Sequence, residues 1–440
     1  MVSLDIPSPE RLEGVNDLSI GQFPRFARAQ RHRDPPRIAD VSATTQAVLN
    51  DIPAFDDLKS GAEIAITAGS RGIHDMPEVL EATVTELQNR GFVPFVIPAM
   101  GSHGGATAQG QREVLASYNI TEERLGCEIR ASMDTEIVAE DDEGWPVPVS
   151  SVALNSDAVL LANRVKLHTD FRGDIESGLT KMAVVGLGKQ RGAEVMHNAA
   201  LNRGLGTIIP ERATLIFENS PVVGGIALVE NANDRAAIIK GVPVEEIPEC
   251  EPELLDRSRK LFPGLPVDHL DLLIIDEIGK DISGTGMDTN VVGRYMFDDE
   301  PEPENPDIKR IAVRGITEAS HGNGIGMGLA EFVHEDLVAD LNLADVYMNI
   351  VTSGEPARAR IPIVAPCDRT LLILAASVTG VRNPANLRVG YIVNTLRPDD
   401  LYVSEPVADE LESREDVTVS EREQLAFDET GDFKFCFDDH

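Results

Sequence analysis

The chain has 440 residues, of which 42% are hydrophobic, and 74 acidic against 39 basic residues give it a formal net charge of −35. This length and apolar content predict two or three domains with ordinary cores rather than a disordered chain. The acidic surplus disfavours nucleic acid and anionic membranes as partners. No apolar run is long enough to span a bilayer, and MVSLDIPSPERLEG lacks the regions of a signal peptide, so a soluble cytoplasmic protein is expected.

The charge pattern is typical of adaptation to high salt. Dense surface carboxylates are tolerable where strong screening limits their repulsion to a few ångströms. Only 9 of the 39 basic residues are lysines, which fits the same hypothesis. The four cysteines (Cys127, Cys250, Cys367 and Cys436) are far apart and form no CxxC pair, which argues against a disulfide framework or a zinc knuckle.

Strand-like and helix-like segments alternate after a polar stretch of about 50 residues. An apolar strand at 62–67 precedes a helix that begins with Asp75 as its N-cap and is closed by Gly91. Further strands are predicted at 92–98, 157–163, 213–217 and 224–230, with a helix from the run AQGQREVLASY after the second strand. This order predicts βαβ units and mainly parallel sheets, the α/β class.

A Pro- and charge-rich stretch at 241–269 predicts a helix between linkers, and LDLLIID (270–276) begins a second α/β domain. We therefore predict an N-terminal domain over 1–265 and a C-terminal domain over 266–440, with a mostly solvated acidic tail.

Three of the predicted strand ends carry residues suited to chemistry. Arg71 follows the strand at 62–67, His103 follows 92–98, and His168 follows 157–163. Ligands bind beyond the carboxyl ends of parallel strands, so these side chains are expected in one crevice. An arginine suits a carboxylate, and two histidines on different loops can each give or take a proton, as inversion of a stereocentre beside a carboxylate requires.

Residues 166–198, KLHTDFRGDIESGLTKMAVVGLGKQRGAEVMHN, concentrate lysine and histidine in a lysine-poor chain. The segment contains no P-loop, GxGxxG or HExxH pattern. Lys181 is therefore either structural or a point of covalent attachment, and His197 is either structural or a single metal ligand. Lys166 and Lys189 are interpreted as surface or capping charges.

Together these pieces resemble the nickel-dependent lactate racemase family. The matching segments are GSR (69–71), GSHGGAT (101–107), His168, and the segment from Lys181 to the MHN at His197. The resemblance covers about the first 200 residues, and beyond residue 270 it rests on DEIGKDISGTGMD (276–288).

The resemblance implies two α/β domains with the site in the cleft between them, and a nickel pincer nucleotide as cofactor. By the same resemblance Lys181 carries the cofactor through a thioamide, and Gly101, Ser102 and Lys280 contact it. His197 binds nickel, His103 and His168 are the acid–base pair, and Arg71 holds the substrate carboxylate. The implied reaction is racemisation or epimerisation of a 2-hydroxy acid by reversible hydride transfer.

The chain departs from the family between His168 and Lys181, where TDFRGDIESGLT is longer than the usual Gly-Gly-Pro-Lys approach. Arg172 and Asp174 in this length, and the altered loop containing Lys280 and Asp288, favour a substrate other than lactate. Two other functions stay open: a carboxylate-binding protein without catalysis, and a hydrolase with an ordinary divalent metal. The oligomeric state is not predicted.

Overall fold

The computed structural model describes residues 4–15, 17–70, 72–200, 203–297, 300–353, 355–434 and 437. The chain forms two compact units, one of Pro35–Phe262 and one of Met1–Asp34 with Pro263–His440. Each contains a large sheet with helices, which confirms the predicted α/β class. No helix in the described ranges combines the length and the apolar character that crossing a bilayer requires.

In chain order the strands are β1 (Phe26–Arg31), β2 (Glu63–Ala68), β3 (Val93–Pro98), β4 (Thr135–Glu140), β5 (Pro146–Ser150), β6 (Ala158–Arg164), β7 (Val222–Glu230), β8 (Ala236–Pro243), β9 (His269–Leu270), β10 (Leu272–Ile278), β11 (Asp307–Ile308), β12 (Ile311–Ile316), β13 (Phe332–His334), β14 (Ile363–Ala365), β15 (Val389–Ile392), β16 (Asp400–Ser404) and β17 (Val417–Val419). The helices are α1 (Pro9–Glu13), α2 (Val41–Val48), α3 (Met76–Asn89), α4 (Ala108–Ser117), α5 (Glu122–Leu125), α6 (Ser151–Leu154), α7 (Leu179–Lys181), α8 (Lys189–Ala200), α9 (Leu205–Glu218), α10 (Ile247–Leu261), α11 (Thr289–Val292), α12 (Glu335–Ala339), α13 (Leu343–Ser353), α14 (Asp368–Ser377) and α15 (Glu405–Leu411).

The unit of residues 35–262 is built on a five-stranded sheet with the order β3-β2-β6-β7-β8. The first four strands are parallel, and β8 pairs antiparallel with β7. Along the central strand β6, Val159 and Leu161 face one apolar core while Leu160 and Ala162 face the other. Burial on both faces is what an uninterrupted apolar strand predicts.

The second unit contains an eight-stranded sheet with the order β14-β13-β12-β10-β15-β16-β1-β17. The first five strands are parallel, whereas β16, β1 and β17 add antiparallel pairs. The first 34 residues, assigned from the sequence to the N-terminal domain, belong here because β1 pairs with β16 and β17. The acidic tail is not wholly solvated, since Val417–Val419 forms the edge strand β17.

One local prediction for the first unit was wrong. The run at 213–217 is not a strand but part of α9, where Ile209, Ala213 and Ile216 are buried at helical spacing. Asp75 is the N-cap residue of α3, as predicted, although its side chain makes no capping bond there. Its carboxylate instead accepts hydrogen bonds from the backbone N–H of Ala236, at 2.7 Å, and from Arg235.

Candidate active site in the unit of residues 35–262

The candidate site begins at the carboxyl ends of three neighbouring parallel strands. Ser70 lies two residues after β2, while His103 and His168 follow β3 and β6. Because β2 pairs in parallel with both β3 and β6, these three segments leave the sheet at the same edge. Arg71, which was predicted to bind the substrate carboxylate, lies outside the described residues.

The loop after β3 presents an exposed histidine. Nδ1 of His103 forms a hydrogen bond with the hydroxyl of Ser70, which joins the loops that follow β3 and β2. The amide of Gln111 donates to the carbonyl oxygens of Gly101, at 3.0 Å, and His103, at 3.3 Å. The loop backbone is thus fixed from α4, while the Ser70 hydroxyl contacts the ring of His103.

Glycine is required within this loop. Gly104 has a φ of 67°, in the left-handed region that L side chains rarely adopt. A Cβ atom at Gly104 would lie 2.5 Å from the backbone of Gly110, so a larger residue would push the loop away from α4. The GSHGGAT segment therefore folds as it does because two backbones meet without an intervening side chain.

The second histidine contacts the lysine. Nζ of Lys181 and Nε2 of His168 form a hydrogen bond, although twelve residues separate the two in the chain. These residues form a closed loop, because Lys166 and Ser177 pair in an antiparallel bridge with N–H···O distances of 2.9 and 3.2 Å. The loop returns the chain to β6 and brings Lys181 beside His168.

The hydrogen bonds of His168 assign roles to its two ring nitrogens. Nδ1 accepts a hydrogen bond of 3.1 Å from the backbone N–H of Asp170. In the neutral ring the proton therefore resides on Nε2, the atom that faces Lys181. The neutral ring can therefore donate from Nε2 to the amine nitrogen of Lys181.

Buried carboxylates hold both ends of the loop. Glu176 is 1% exposed and accepts hydrogen bonds from the backbone N–H of His168, at 2.6 Å, and from Arg259, at 3.0 Å. Glu251 is also 1% exposed and accepts from the backbone N–H groups of Leu179 and of Thr180, the latter at 3.1 Å. Sequence reasoning missed both glutamates, since nothing in their local pattern separates them from the many surface acids.

The segment that follows Lys181 packs beneath the two preceding loops. Met182–Gly186 forms a single π-helical turn, a feature that is frequent at functional sites. A Cβ atom at Gly69 would lie 3.3 Å from Met182, and one at Gly101 would lie 3.2 Å from Val185. Close packing at these two glycines connects the segment of Lys181 with the loops that follow β2 and β3.

Lys189 is not the surface or capping charge predicted from the sequence. It is 1% exposed, and its Nζ donates to the carbonyl oxygen of Pro98 and contacts Oε1 of Gln111 at 3.4 Å. Burial lowers the pKa of Lys189 to about 8. The residue lies below the His103 loop, where it links the end of β3 to α4.

The remaining predicted cofactor residues are distributed differently. His197 lies in α8, and its side chain is outside the described part of the structure. Ser102 is exposed in the loop after β3. Lys280 belongs to the other unit, where its Nζ donates to the carbonyl oxygen of Gly284 at 2.7 Å and lies 3.4 Å from Oδ1 of Asn349.

A conventional three-ligand metal cluster is present among the described residues only in the unit that contains β10 to β17, where His334, Asp368 and Asp432 come together. Its polar atoms already bind one another and their neighbours. His334 Nε2 lies 3.2 Å from Asp432, and Asp368 accepts from Arg314 at 2.7 Å. We interpret this cluster as a hydrogen-bond network that fixes the C-terminal segment.

No protein-family model matches the chain. No curated protein matches it either. Among solved structures the chain is similar to the lactate racemase apoprotein from Thermoanaerobacterium thermosaccharolyticum, with 10% identity, a TM-score of 0.45 and coverage of 86% of each chain. This level of similarity assigns no role to any residue of the chain.

Proposed function

We propose that the protein is a racemase or epimerase of a 2-hydroxy carboxylic acid that uses a nickel pincer nucleotide attached to Lys181. The observation that carries the proposal is the contact between Lys181 Nζ and His168 Nε2, at the sheet edge that also presents His103. Covalent attachment needs an amine nitrogen held in a fixed place, and the contact with Nε2 of His168 holds that of Lys181 at the sheet edge.

The described residues fit the organic part of such a cofactor. Lys181 is half-buried at the end of a three-residue helix, and its neighbours Leu179 and Met182 are anchored in the apolar core. The amine is therefore held at a fixed place beside the sheet edge. Nickel would be held by His197, and Gly101 and Ser102 are assigned to the same cofactor. When bound, the cofactor supplies a reversible acceptor for hydride.

The protein residues bind the substrate and move protons. Arg71 is assigned to the carboxylate, which a planar guanidinium can bind through two hydrogen bonds. His103 and His168 are assigned to remove and return the hydroxyl proton of the substrate, one for each enantiomer. The Ser70 hydroxyl orients the ring of His103, and the backbone N–H of Asp170 orients that of His168. One histidine from each loop would let the proton be taken on either side of the reacting carbon.

An isotope experiment tests this reaction. A 2-hydroxy acid with deuterium on its second carbon is racemised by cofactor-loaded enzyme in ordinary water, and the product is analysed by mass spectrometry. Transfer as hydride predicts that the product enantiomer keeps its deuterium. Loss of deuterium to water at the rate of racemisation would indicate proton abstraction and contradict the proposal. Metal analysis separates the alternatives, since a carboxylate-binding protein needs no metal and an ordinary hydrolase would contain zinc or manganese.

A further inference from the structure

We propose that helix α10 positions the site through two residues, Glu251 and Arg259, which hold the two ends of the loop between His168 and Lys181. Neither residue lies on the loop, and neither is assigned to substrate or cofactor. The inference rests on the proposed role of Lys181 as the attachment point. The two residues act through the backbone and through Glu176, so they are positioning residues rather than catalytic ones.

The Lys181 end is held by Glu251. Its carboxylate accepts the N–H groups of Leu179 and Thr180, the two residues directly before Lys181. These are the first N–H groups of α7, which have no acceptor within the helix. Among the described residues no lysine or arginine forms an ion pair with this carboxylate, so its hydrogen bonds come from the start of α7. Burial raises the pKa of Glu251.

Gly178 shows how closely Glu251 approaches the loop. A Cβ atom at Gly178 would lie 2.2 Å from Oε1 of Glu251, so a side chain at this position would displace the carboxylate. The φ of Gly178 is 178°, an ordinary extended value, so its backbone conformation does not require glycine. The space that a side chain would occupy there is used by the carboxylate that caps the next residues.

The His168 end is held by Arg259. Its guanidinium lies 3.0 Å from Oε1 of Glu176, and the same glutamate accepts the N–H of His168 through Oε2 at 2.6 Å. Glu251 and Arg259 are eight residues apart on α10, which separates them by about 12 Å along the helix axis. One helix thus fixes the positions of both Lys181 and His168.

The test measures the position of the Lys181 amine in protein without cofactor. Cofactor-free protein is treated with limiting N-hydroxysuccinimidyl acetate, and acetylation of Lys181 is quantified by peptide mass spectrometry relative to the exposed Lys59. Glu251→Ala is expected to release Lys181 from His168 into solvent and to raise the Lys181 to Lys59 ratio at least about fivefold, the change that loss of a helix cap of ordinary strength would give. Glu251→Gln keeps an acceptor oxygen and should restore the wild-type ratio.

The matched control is Glu253→Ala, which removes an exposed carboxylate from the same helix and should leave the ratio unchanged. A Glu251→Ala variant with a lower Tm but a wild-type ratio would overturn the inference, since Glu251 would then be merely structural. If the Glu251→Ala variant does not fold, Arg259→Ala is used instead, because the Arg259 side chain is 39% exposed and its removal leaves a smaller cavity. An unchanged Lys181 to Lys59 ratio in Arg259→Ala would then overturn the inference. The proposed function can also fail separately. If Lys181 carries no cofactor in native protein but the acetylation ratios change as expected, the proposed function is contradicted and the positioning role stands.

Discussion

Nζ of Lys181 contacts Nε2 of His168 across a loop that is closed by the Lys166–Ser177 bridge. The longer approach between these residues therefore does not separate them. The additional residues form the loop, and hydrogen bonds to Glu176 and Glu251 hold the two ends of this loop. The proposed attachment to a cofactor requires lysine at this position, because arginine, which stays protonated, cannot serve as a nucleophilic amine.

The first prediction concerns the Ser70–His103 pair. His103→Gln should lower kcat/KM by about 10²–10⁴-fold, the usual contribution of a general acid or base. Ser70→Ala removes one hydrogen bond to the ring and should lower it by about tenfold or less. Chiral chromatography of a 2-hydroxy acid, with cofactor occupancy measured in parallel, gives both values. A His103→Gln enzyme with wild-type kcat/KM would remove His103 from the acid–base assignment.

The second prediction concerns the pH dependence of stability at Lys189. Its pKa is lowered by burial from 10.5 to about 8, so the unfolded chain binds more protons than the folded one between these values. The free energy of unfolding should therefore rise as pH increases from about 8 to 10.5, by roughly 3 kcal/mol from this group alone. Below pH 8 the cost of burying the charge is constant.

Lys189→Met abolishes this contribution, so its stability relative to wild type should fall across the same pH window. Urea unfolding of both proteins at pH 7.5 and 10.5 measures the difference, and Lys59→Met serves as the control for an exposed lysine. A stability difference between Lys189→Met and wild type that does not change with pH would show that Lys189 is not buried as an ammonium group.

The third prediction concerns salt. With 74 acidic against 39 basic residues, mutual repulsion of surface carboxylates should destabilise the fold at low ionic strength. Tm should rise between dilute buffer and molar potassium chloride. Equal Tm values in the two conditions would contradict the hypothesis of adaptation to high salt.

The fourth prediction concerns the substrate. A 2-hydroxy acid with a longer or more polar side chain than lactate is expected, with Arg172 as the residue that distinguishes it. An unpaired polar group in a buried site costs about 1–3 kcal/mol, so lactate should be a poor substrate. Arg172 lies 3.5 Å from Glu176, so Arg172→Lys is needed beside Arg172→Ala to separate selection from support of the loop. A panel of 2-hydroxy acids on which lactate is best would contradict the prediction.

The strand ends could be predicted from the sequence because apolar runs and flanking glycines are local signals. β2, β3 and β6 begin and end within a residue or two of the predicted runs, and their parallel pairing follows from the βαβ order. The prediction of a strand at 213–217 was wrong because a short apolar run fits a buried helix as well as a strand.

The supports of the site could not be predicted because they depend on contacts between distant parts of the chain. Glu251 lies 70 residues after Lys181, and in a chain with 74 acidic residues no local pattern distinguishes a buried glutamate. The burial of Lys189 likewise depends on Pro98 and Gln111, which lie in β3 and α4. The pairing of β1 with β16 joins residues that are 370 or more positions apart.

The most direct measurement is the mass of the Lys181 peptide from protein purified from its native host, with metal analysis of the same sample. The proposed function predicts a covalent adduct of nucleotide size on this peptide and nickel in the intact protein. Lys181→Arg, expressed in the same host, should lose the adduct and racemase activity while keeping its Tm. Unmodified Lys181 in protein that racemises a 2-hydroxy acid at full rate would contradict the central claim.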